Sequence, residues 1–481
     1  MPPARPKPAW LDELRAALPA DAVLADAAHR LAYDCDAYTI AREAPAVVVL
    51  PRSTREVSEV MRVAHRHGVA VVPRGAGTGL AGGAVPEAGG IVVGLSRMNR
   101  VLAVDGANRR ATVEAGVVNA QLTQLVAPSG LHFAPDPSSQ SACTIGGNIA
   151  ENAGGPHTLK YGVTVNHVLA VELVLPDGEV VWLGSEFDET PGYDMVGAVV
   201  GSEGTLGIVT RAVVRLTPVP EGVRTLLATF PDVRGASGAV SAIIGRGIIP
   251  AALEMMDQAI IEAVEAAFGL GLPLDAGAAL IVELDGPEAG LDEGASEVEA
   301  ILHAHGAASV ERAADAAARE RLWLARKKAV GAVGRLAPSK VTMDGVIPRT
   351  RLPEVLEAIG AIAAAHGLRV GNVFHAGDGN LHPLLLFDER DPDQVARVLA
   401  AGEEILRVCV EAGGSVTGEH GIGVEKRDHL GLMFDAQDLA AMEQLRRVFD
   451  PDERLNPDKL LPVRRGCGEA RLGQPRGGVL C

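Results

Sequence analysis

Val69-Ala70-Val71-Val72 runs directly into Pro73-Arg74-Gly75-Ala76-Gly77-Thr78-Gly79-Leu80. Four apolar residues rich in β-branching read as a buried strand, and that strand hands the chain to a glycine-rich loop. This layout suits a phosphate, because consecutive backbone N–H groups converge on an anion and no side chain blocks the approach. Upstream, Ala46-Val47-Val48-Val49-Leu50 reads as another buried strand. Ser53 followed by Glu56 marks a helix start, Val57, Val60, Met61 and Ala64 recur at helical spacing, and Gly68 closes the helix. Gly77, Gly79 and Gly82 also match GxGxxG. The dinucleotide form of that pattern needs a helix to begin in the loop and an acidic residue ~20 positions later. Here Ala81-Gly82-Gly83-Ala84-Val85-Pro86 and Gly89-Gly90 follow, residues that break helices, so the stretch reads against a Rossmann NAD site.

Two more loop-rich stretches lie downstream. One runs from Pro135-Asp136-Pro137-Ser138 through Thr144-Ile145-Gly146-Gly147-Asn148 to Asn152-Ala153-Gly154-Gly155. The other is Gly201-Ser202-Glu203-Gly204-Thr205-Leu206-Gly207-Ile208-Val209. Between them Val168–Leu175 reads as a strand ending in the turn Pro176-Asp177-Gly178. Three glycine-rich loops on an α+β frame point to one large extended ligand.

The 481 residues are too many for one ordinary core and imply two domains or slightly more. At 47% hydrophobic residues the chain can bury itself fully, and its net charge of −17 would repel nucleic acid or an anionic membrane. The five cysteines are scattered without a CxxC pair, which excludes a disulfide framework and a Cys-based zinc or iron–sulfur site and suggests a reducing, cytoplasmic compartment. The opening ten residues carry no apolar run of the secretory kind, and no stretch approaches the ~18 apolar residues of a membrane span. Residues 10–42, with Tyr33, Asp34 and Tyr38, read as a helical lead-in. Beyond residue 221, Leu226–Phe230, Leu253–Met256, Leu280–Leu284 and Val341–Met343 read as strands alternating with helices. Val395, Val398, Leu399, Ile405, Leu406 and Cys409 form one helical stripe closed by Gly413, which makes Cys409 a core residue. The tail after Pro462, with Arg464, Arg465, Gly466, Cys467 and Cys481, reads as loosely ordered.

Two short stretches carry the chemistry: His375-Ala376-Gly377-Asp378-Gly379-Asn380-Leu381-His382 and Gly418-Glu419-His420-Gly421-Ile422-Gly423. The first reads as strand–turn–strand, which brings His375 and His382 together; Glu419 can arrive as a third ligand. Two imidazoles and a carboxylate leave open positions on a divalent metal.

The loop Arg74–Thr78, the Pro135-Asp136 to Asn148 stretch and Glu203-Gly204-Thr205-Leu206-Gly207 resemble the FAD-binding domain of the vanillyl-alcohol-oxidase-type flavoproteins. The tract Asn372–Pro383, supported by Gly418–Gly423 and Asn456-Pro457-Asp458-Lys459, narrows the resemblance to the FAD-linked D-2-hydroxyacid dehydrogenase branch, which includes bacterial glycolate oxidases. The resemblance covers residues 20 to 462. It implies an α+β chain: a helical lead-in (1–42), a vanillyl-alcohol-oxidase-type FAD-binding domain (43–220), a ferredoxin-like antiparallel-sheet cap domain with C-terminal helices (221–462) and a flexible tail (463–481).

For the site, the resemblance implies FAD contacts from Arg74, Gly75, Ala76, Gly77, Thr78, Gly79, Pro135, Asp136, Thr144, Ile145, Gly147, Asn148, Asn152, Glu203, Gly204, Ile208 and Asn456. It places a metal on His375, His382 and Glu419, zinc first with manganese or iron as alternatives. It makes His420 the base, and Arg326 and Lys340 the partners of a substrate carboxylate. The Arg74–Val85 loop has no His or Cys, which leaves Cys143 and His157 as candidates for a flavin tether; non-covalent FAD is expected. The implied reaction oxidises a small 2-hydroxyacid, glycolate or D-lactate, to the 2-oxoacid, with hydride passing to flavin N5. Leu384, where relatives acting on dicarboxylates carry a polar residue, points to a small substrate. The rival readings are a non-redox transferase like alkyl-dihydroxyacetone-phosphate synthase and a D-2-hydroxyglutarate-type dehydrogenase. The resemblance also implies a second flavoprotein-like subunit and an iron–sulfur subunit as partners, with peripheral attachment to the inner membrane through them.

Overall fold

A computed structural model of the chain describes residues 9–186 and 191–463. Its frame is three sheets. In the first, Val23–Leu24, Val47–Val49, Ile91–Gly94 and Val71–Arg74 lie side by side in that order, the last three parallel. Parallel strands need crossovers, and the helix Thr54–His67 supplies one. Ser53 caps it by accepting the Glu56 N–H at 3.3 Å; the Glu56 carboxylate reaches back one residue further, to the Arg52 N–H at 2.8 Å. Gly68 ends it at φ +63°, where a side chain would be strained. Val57, Val60, Met61 and Ala64 are all buried against the sheet. No helix begins in the loop after Arg74, so the GxGxxG match is not a Rossmann turn.

The second sheet has five antiparallel strands in the order Val101–Asp105, Arg110–Glu114, Ile208–Arg215, Val168–Val174, Val180–Gly184. The third is a seven-stranded antiparallel sheet: Ser309–Arg312, Gly222–Phe230, Ala278–Gly286, Ala252–Asp257, Arg369–His375, Pro383–Phe387, Ser339–Thr342. Its chain order shows a four-stranded ferredoxin-like unit laid edge to edge with a three-stranded β-α-β-β unit, joined where Ala252–Asp257 pairs with Arg369–His375. Separate apolar clusters on the two faces of this sheet are closed by helices, Val233–Gly245, Leu291–Ala304, Leu352–Ala365 and Pro392–Glu411 on one and Gln258–Phe268 and Ala316–Ala332 on the other.

Three details differ from the sequence reading. The lead-in is helical only over Ala9–Ala17, Ala20–Ala22 and Ala27–Leu31. Beyond that it becomes a strap over the first glycine loop: the Ala37 N–H donates to the Gly79 carbonyl at 3.0 Å, and Asp36 accepts the N–H groups of Tyr38 and Ala84. Tyr38 then packs into the core of the seven-stranded sheet. In the helix Pro392–Glu411, Cys409 is buried as expected but Leu399 is 46% exposed, so it is not part of the core stripe. Near the end of the described chain, the Val71 N–H donates to Arg454 and the Asn456 N–H to Val71, so residues 454–456 return to the first sheet. Arg464, Arg465, Gly466, Cys467 and Cys481 lie outside the described residues.

Candidate active site

The three glycine loops and the seven-stranded sheet enclose a cavity of about 1270 Å³. Pro73 to Gly79, Asp136, Thr144, Gly147, Asn148, Glu203, Gly204 and Ile208 line one side; Trp323, Arg326, Lys340, His382, Glu419 and His420 line the other. That volume exceeds the ~300–1,000 Å³ of a drug-sized ligand, as a dinucleotide with a substrate beside it requires. Close approach explains the glycines: a Cβ on Gly75 would sit 2.6 Å from the Thr144 hydroxyl, and one on Gly77 (φ +71°) would run into the Arg74 guanidinium. The residues therefore fit FAD.

Four predicted contact residues do not line this cavity. The Pro135 carbonyl accepts from Asn119, Ile145 is core, Asn152 caps a helix at φ +53° and accepts the Val165 N–H, and Asn456 donates to the carbonyls of Gly83 and Glu203. They hold the loops in place. Leu384 does not line it either: it is fully buried in an apolar cluster with Trp323 and Val373, which do line the cavity.

The two histidine stretches meet as the strand–turn–strand pattern predicts. Arg369–His375 and Pro383–Phe387 pair antiparallel, and Gly379 (φ +82°) makes the turn. His375 Nε2 and His382 Nε2 both face Glu419 Oε1, at 3.3 and 3.1 Å, and the rings stand edge to face at 5.0 Å. All three ligand atoms lie within 4.8 Å of one another. The other ring nitrogens are anchored, His375 Nδ1 on Glu254 Oε1 at 2.6 Å and His382 Nδ1 on the Met343 carbonyl at 3.3 Å. Each imidazole thus presents Nε2 to a common point beside a carboxylate, which is how a divalent metal is held. Burial disfavours charge on His375, but Glu254 and Glu419 outweigh it and raise its pKa well above the ordinary imidazole value. The donor set fits a metal.

His420 stacks on His382 at 4.8 Å with the rings nearly parallel, and its Nδ1 is buried without a partner. Burial lowers its pKa to about 4, so the ring is neutral near pH 7 and able to take a proton. Its loop is fixed from both sides. Asp344, fully buried, accepts the N–H groups of Gly418, Glu419 and His420, the Thr417 hydroxyl and the Lys426 ammonium. Glu203 accepts the N–H groups of Ile422 and Gly423 at 2.6 and 2.8 Å. Asp344 is one residue the sequence reading missed; Glu254, on His375 and Arg326, is another. Asp344-Gly345 carries no motif, and only the fold reveals five donors around one carboxylate.

Arg326 is not a surface cation. It is 5% exposed, lines the cavity and donates its Nε to Glu254 at 2.5 Å. Lys340 is exposed and also lines the cavity. His157 bridges the two sides: Nδ1 meets Asp136 at 2.7 Å, Nε2 meets Glu283 at 3.3 Å, and the ring stacks on Trp323 at 5.7 Å. Burial opposes its charge, but Asp136 and Glu283 outweigh this and raise its pKa to about 10. The Cys143 thiol packs against the Asn148 amide at 3.3 Å, and burial raises its pKa.

This fold and cavity define a flavoprotein of the two-domain oxidase class. The chain belongs to the FAD linked oxidases: residues 45–184 match the FAD binding domain model and residues 219–460 match the FAD linked oxidases, C-terminal domain. It is 47% identical to glycolate oxidase subunit GlcD of Escherichia coli K12 over 91% of this chain and 88% of that protein. Identity to the Bacillus subtilis GlcD subunit is 41% (90% and 92% covered), and to D-lactate dehydrogenase of Anaerostipes hadrus 32% (86% and 89%). Among solved structures, p-cresol methylhydroxylase with substrate bound has a TM-score of 0.79 at 16% identity (94% of this chain, 96% of that one), and alkyldihydroxyacetonephosphate synthase 0.73 at 19% (95% and 86%). These two share the fold.

Proposed function

We propose that the protein oxidises a small 2-hydroxyacid, glycolate or D-lactate, to the 2-oxoacid with non-covalent FAD. One observation carries the reading: His382, Glu419 and His420 converge on the same cavity that the glycine loops of the FAD-binding domain line. The relatives named glycolate oxidase subunit and D-lactate dehydrogenase support the substrate class. Bound FAD supplies the acceptor for the α-hydrogen, and a divalent metal held by His375, His382 and Glu419 supplies the charge that acidifies the substrate hydroxyl. Arg326 and Lys340 hold the substrate carboxylate from the cap side, and the neutral His420 ring accepts the hydroxyl proton. Asp344 and Glu203 keep that ring in place through the backbone of its loop.

Non-covalent binding follows from the two tether candidates. Both His157 ring nitrogens are engaged by carboxylates, and the Cys143 thiol is held protonated. Acid or heat should release all flavin, and flavin left on the polypeptide in a denaturing gel would contradict this. The activity is tested by anaerobic titration with D- and L-2-hydroxyacids, including glycolate, D-lactate and D-2-hydroxyglutarate. Glycolate or D-lactate should bleach the flavin; no bleaching by any of them would favour a non-redox transfer. The relatives' designation as subunits supports a further reading, that an iron–sulfur subunit and a second flavoprotein-like subunit carry the electrons onward. Among the described residues no helix is long and apolar enough to cross a membrane, so attachment at the inner membrane would run through those partners.

A further inference from the structure

Glu254 sits in the strand Ala252–Asp257 directly opposite His375, in antiparallel register at the seam between the two halves of the sheet. Its side chain is fully buried and both oxygens are used: Oε1 on His375 Nδ1 at 2.6 Å, Oε2 on Arg326 Nε at 2.5 Å. A carboxylate removed from water is costly unless paired, and here the pair is made on both sides. The contact with Oε1 keeps a hydrogen on Nδ1, so when the ring gives up its second proton to a metal, Nε2 is the nitrogen that would offer its lone pair beside Glu419. His382 has no such support, only a backbone carbonyl at 3.3 Å. Burial works against the charge on Glu254, yet His375 and Arg326 keep its pKa below the ordinary value. One carboxylate thus fixes two groups at once, the imidazole of the metal triad and the guanidinium at the cavity wall.

We propose that Glu254 is a positioning residue that sets the His375 tautomer and the Arg326 orientation together, coupling metal holding to recognition of the substrate carboxylate. This rests on reading His375, His382 and Glu419 as a metal site. Glu254 itself touches neither substrate nor metal.

The test uses the FAD-loaded protein and its Glu254→Gln variant, titrated with Zn²⁺ against a chromophoric chelator. If the amide oxygen stays on Arg326, its NH2 group faces His375 Nδ1 and demands the opposite tautomer. Zn²⁺ affinity should fall about 10–100-fold while FAD content stays near wild type; the unfolding midpoint also falls, because the buried Arg326 guanidinium loses its carboxylate, and KM for the 2-hydroxyacid should rise more than kcat falls. In a His375→Ala background, Glu254→Gln should cause no further loss of Zn²⁺ affinity. Should Glu254→Gln fail to retain FAD, Glu254→Asp, which keeps the charge, is measured in the same way and should lose affinity by a smaller factor than His375→Ala. Unchanged Zn²⁺ affinity in a wild type that binds the ion overturns the proposal alone, as does an equal loss with and without His375. A wild type that binds no Zn²⁺ overturns the metal reading and the proposal with it.

Discussion

At the residue scale, His420 is the most exposed to test. A buried imidazole with an unpartnered nitrogen and a pKa near 4 is already in its proton-accepting form at neutral pH. The group must be neutral to act, so activity is lost as pH falls through its pKa. The kcat/KM profile should therefore be level above about pH 5 and decline below, and a limb centred near ~6.5, the ordinary imidazole value, would contradict the assignment. His420→Ala should lower kcat by ~10²–10⁴-fold with FAD still bound. The roles of His375, His382 and Glu419 were proposable from sequence because ligand-type side chains in glycine-bounded stretches are rarely core. Asp344 and Glu254 were not, because a lone acidic residue in a strand or strand exit looks like any other until its partners are in place.

At the element scale, the loop Gly418–Gly423 is the part with the least freedom. Gly421 has φ +83°, and a Cβ there would run into the carboxylates of Glu151 and Glu203. Gly421→Ala combines backbone strain with that collision, a cost of about 1–3 kcal/mol, and displaces the adjacent His420. We expect kcat to drop by ~10²-fold, as small misplacements do, with the flavin absorbance retained. Measured kcat near wild type would show that the loop tolerates the shift. The glycines of this loop were visible in sequence as glycines, but the reasons for them come from distant positions: Asn380 against Gly418, Glu151 and Glu203 against Gly421, and the Ala81 backbone against Gly423.

At the scale of the whole molecule, the two walls of the cavity are clamped by the Asp136–His157–Glu283 bridge, with Arg319, Trp323 and Thr225 also donating to Glu283. The folded pKa of His157, about 10, lies above its unfolded value of ~6.5. Its contribution is then complete below about pH 6.5 and is lost as pH rises towards 10. Glu283 shifts the other way: burial opposes its charge, but His157 and Arg319 outweigh it, so its contribution is lost in acid. His157→Gln should cost about 2–3 kcal/mol, less than the ~3–5 of a fully buried pair because the ring is partly exposed. The gap in unfolding midpoint between wild type and variant should be widest near pH 5–6.5 and narrow towards pH 10. A gap constant over that range would show that the ring contributes by shape alone.

By itself, the sequence determined the local chemistry and the local geometry. The strand feeding Arg74–Gly79, the Ser53-to-Gly68 helix with its cap and stop, the turn between His375 and His382 and the glycine-bounded Glu419-His420 pair all depend on neighbours in the chain. Periodicity, capping and turn preference act over a few residues and can be read directly. The tertiary structure decided what depends on distant residues meeting. It put Glu254 between His375 and Arg326, gathered five donors around Asp344, made the cavity-lining Glu203 also a holder of the His420 loop, and buried Leu384 in an apolar cluster. Those contacts join positions tens to hundreds of residues apart, and their cost or benefit exists only once water has been removed from between them.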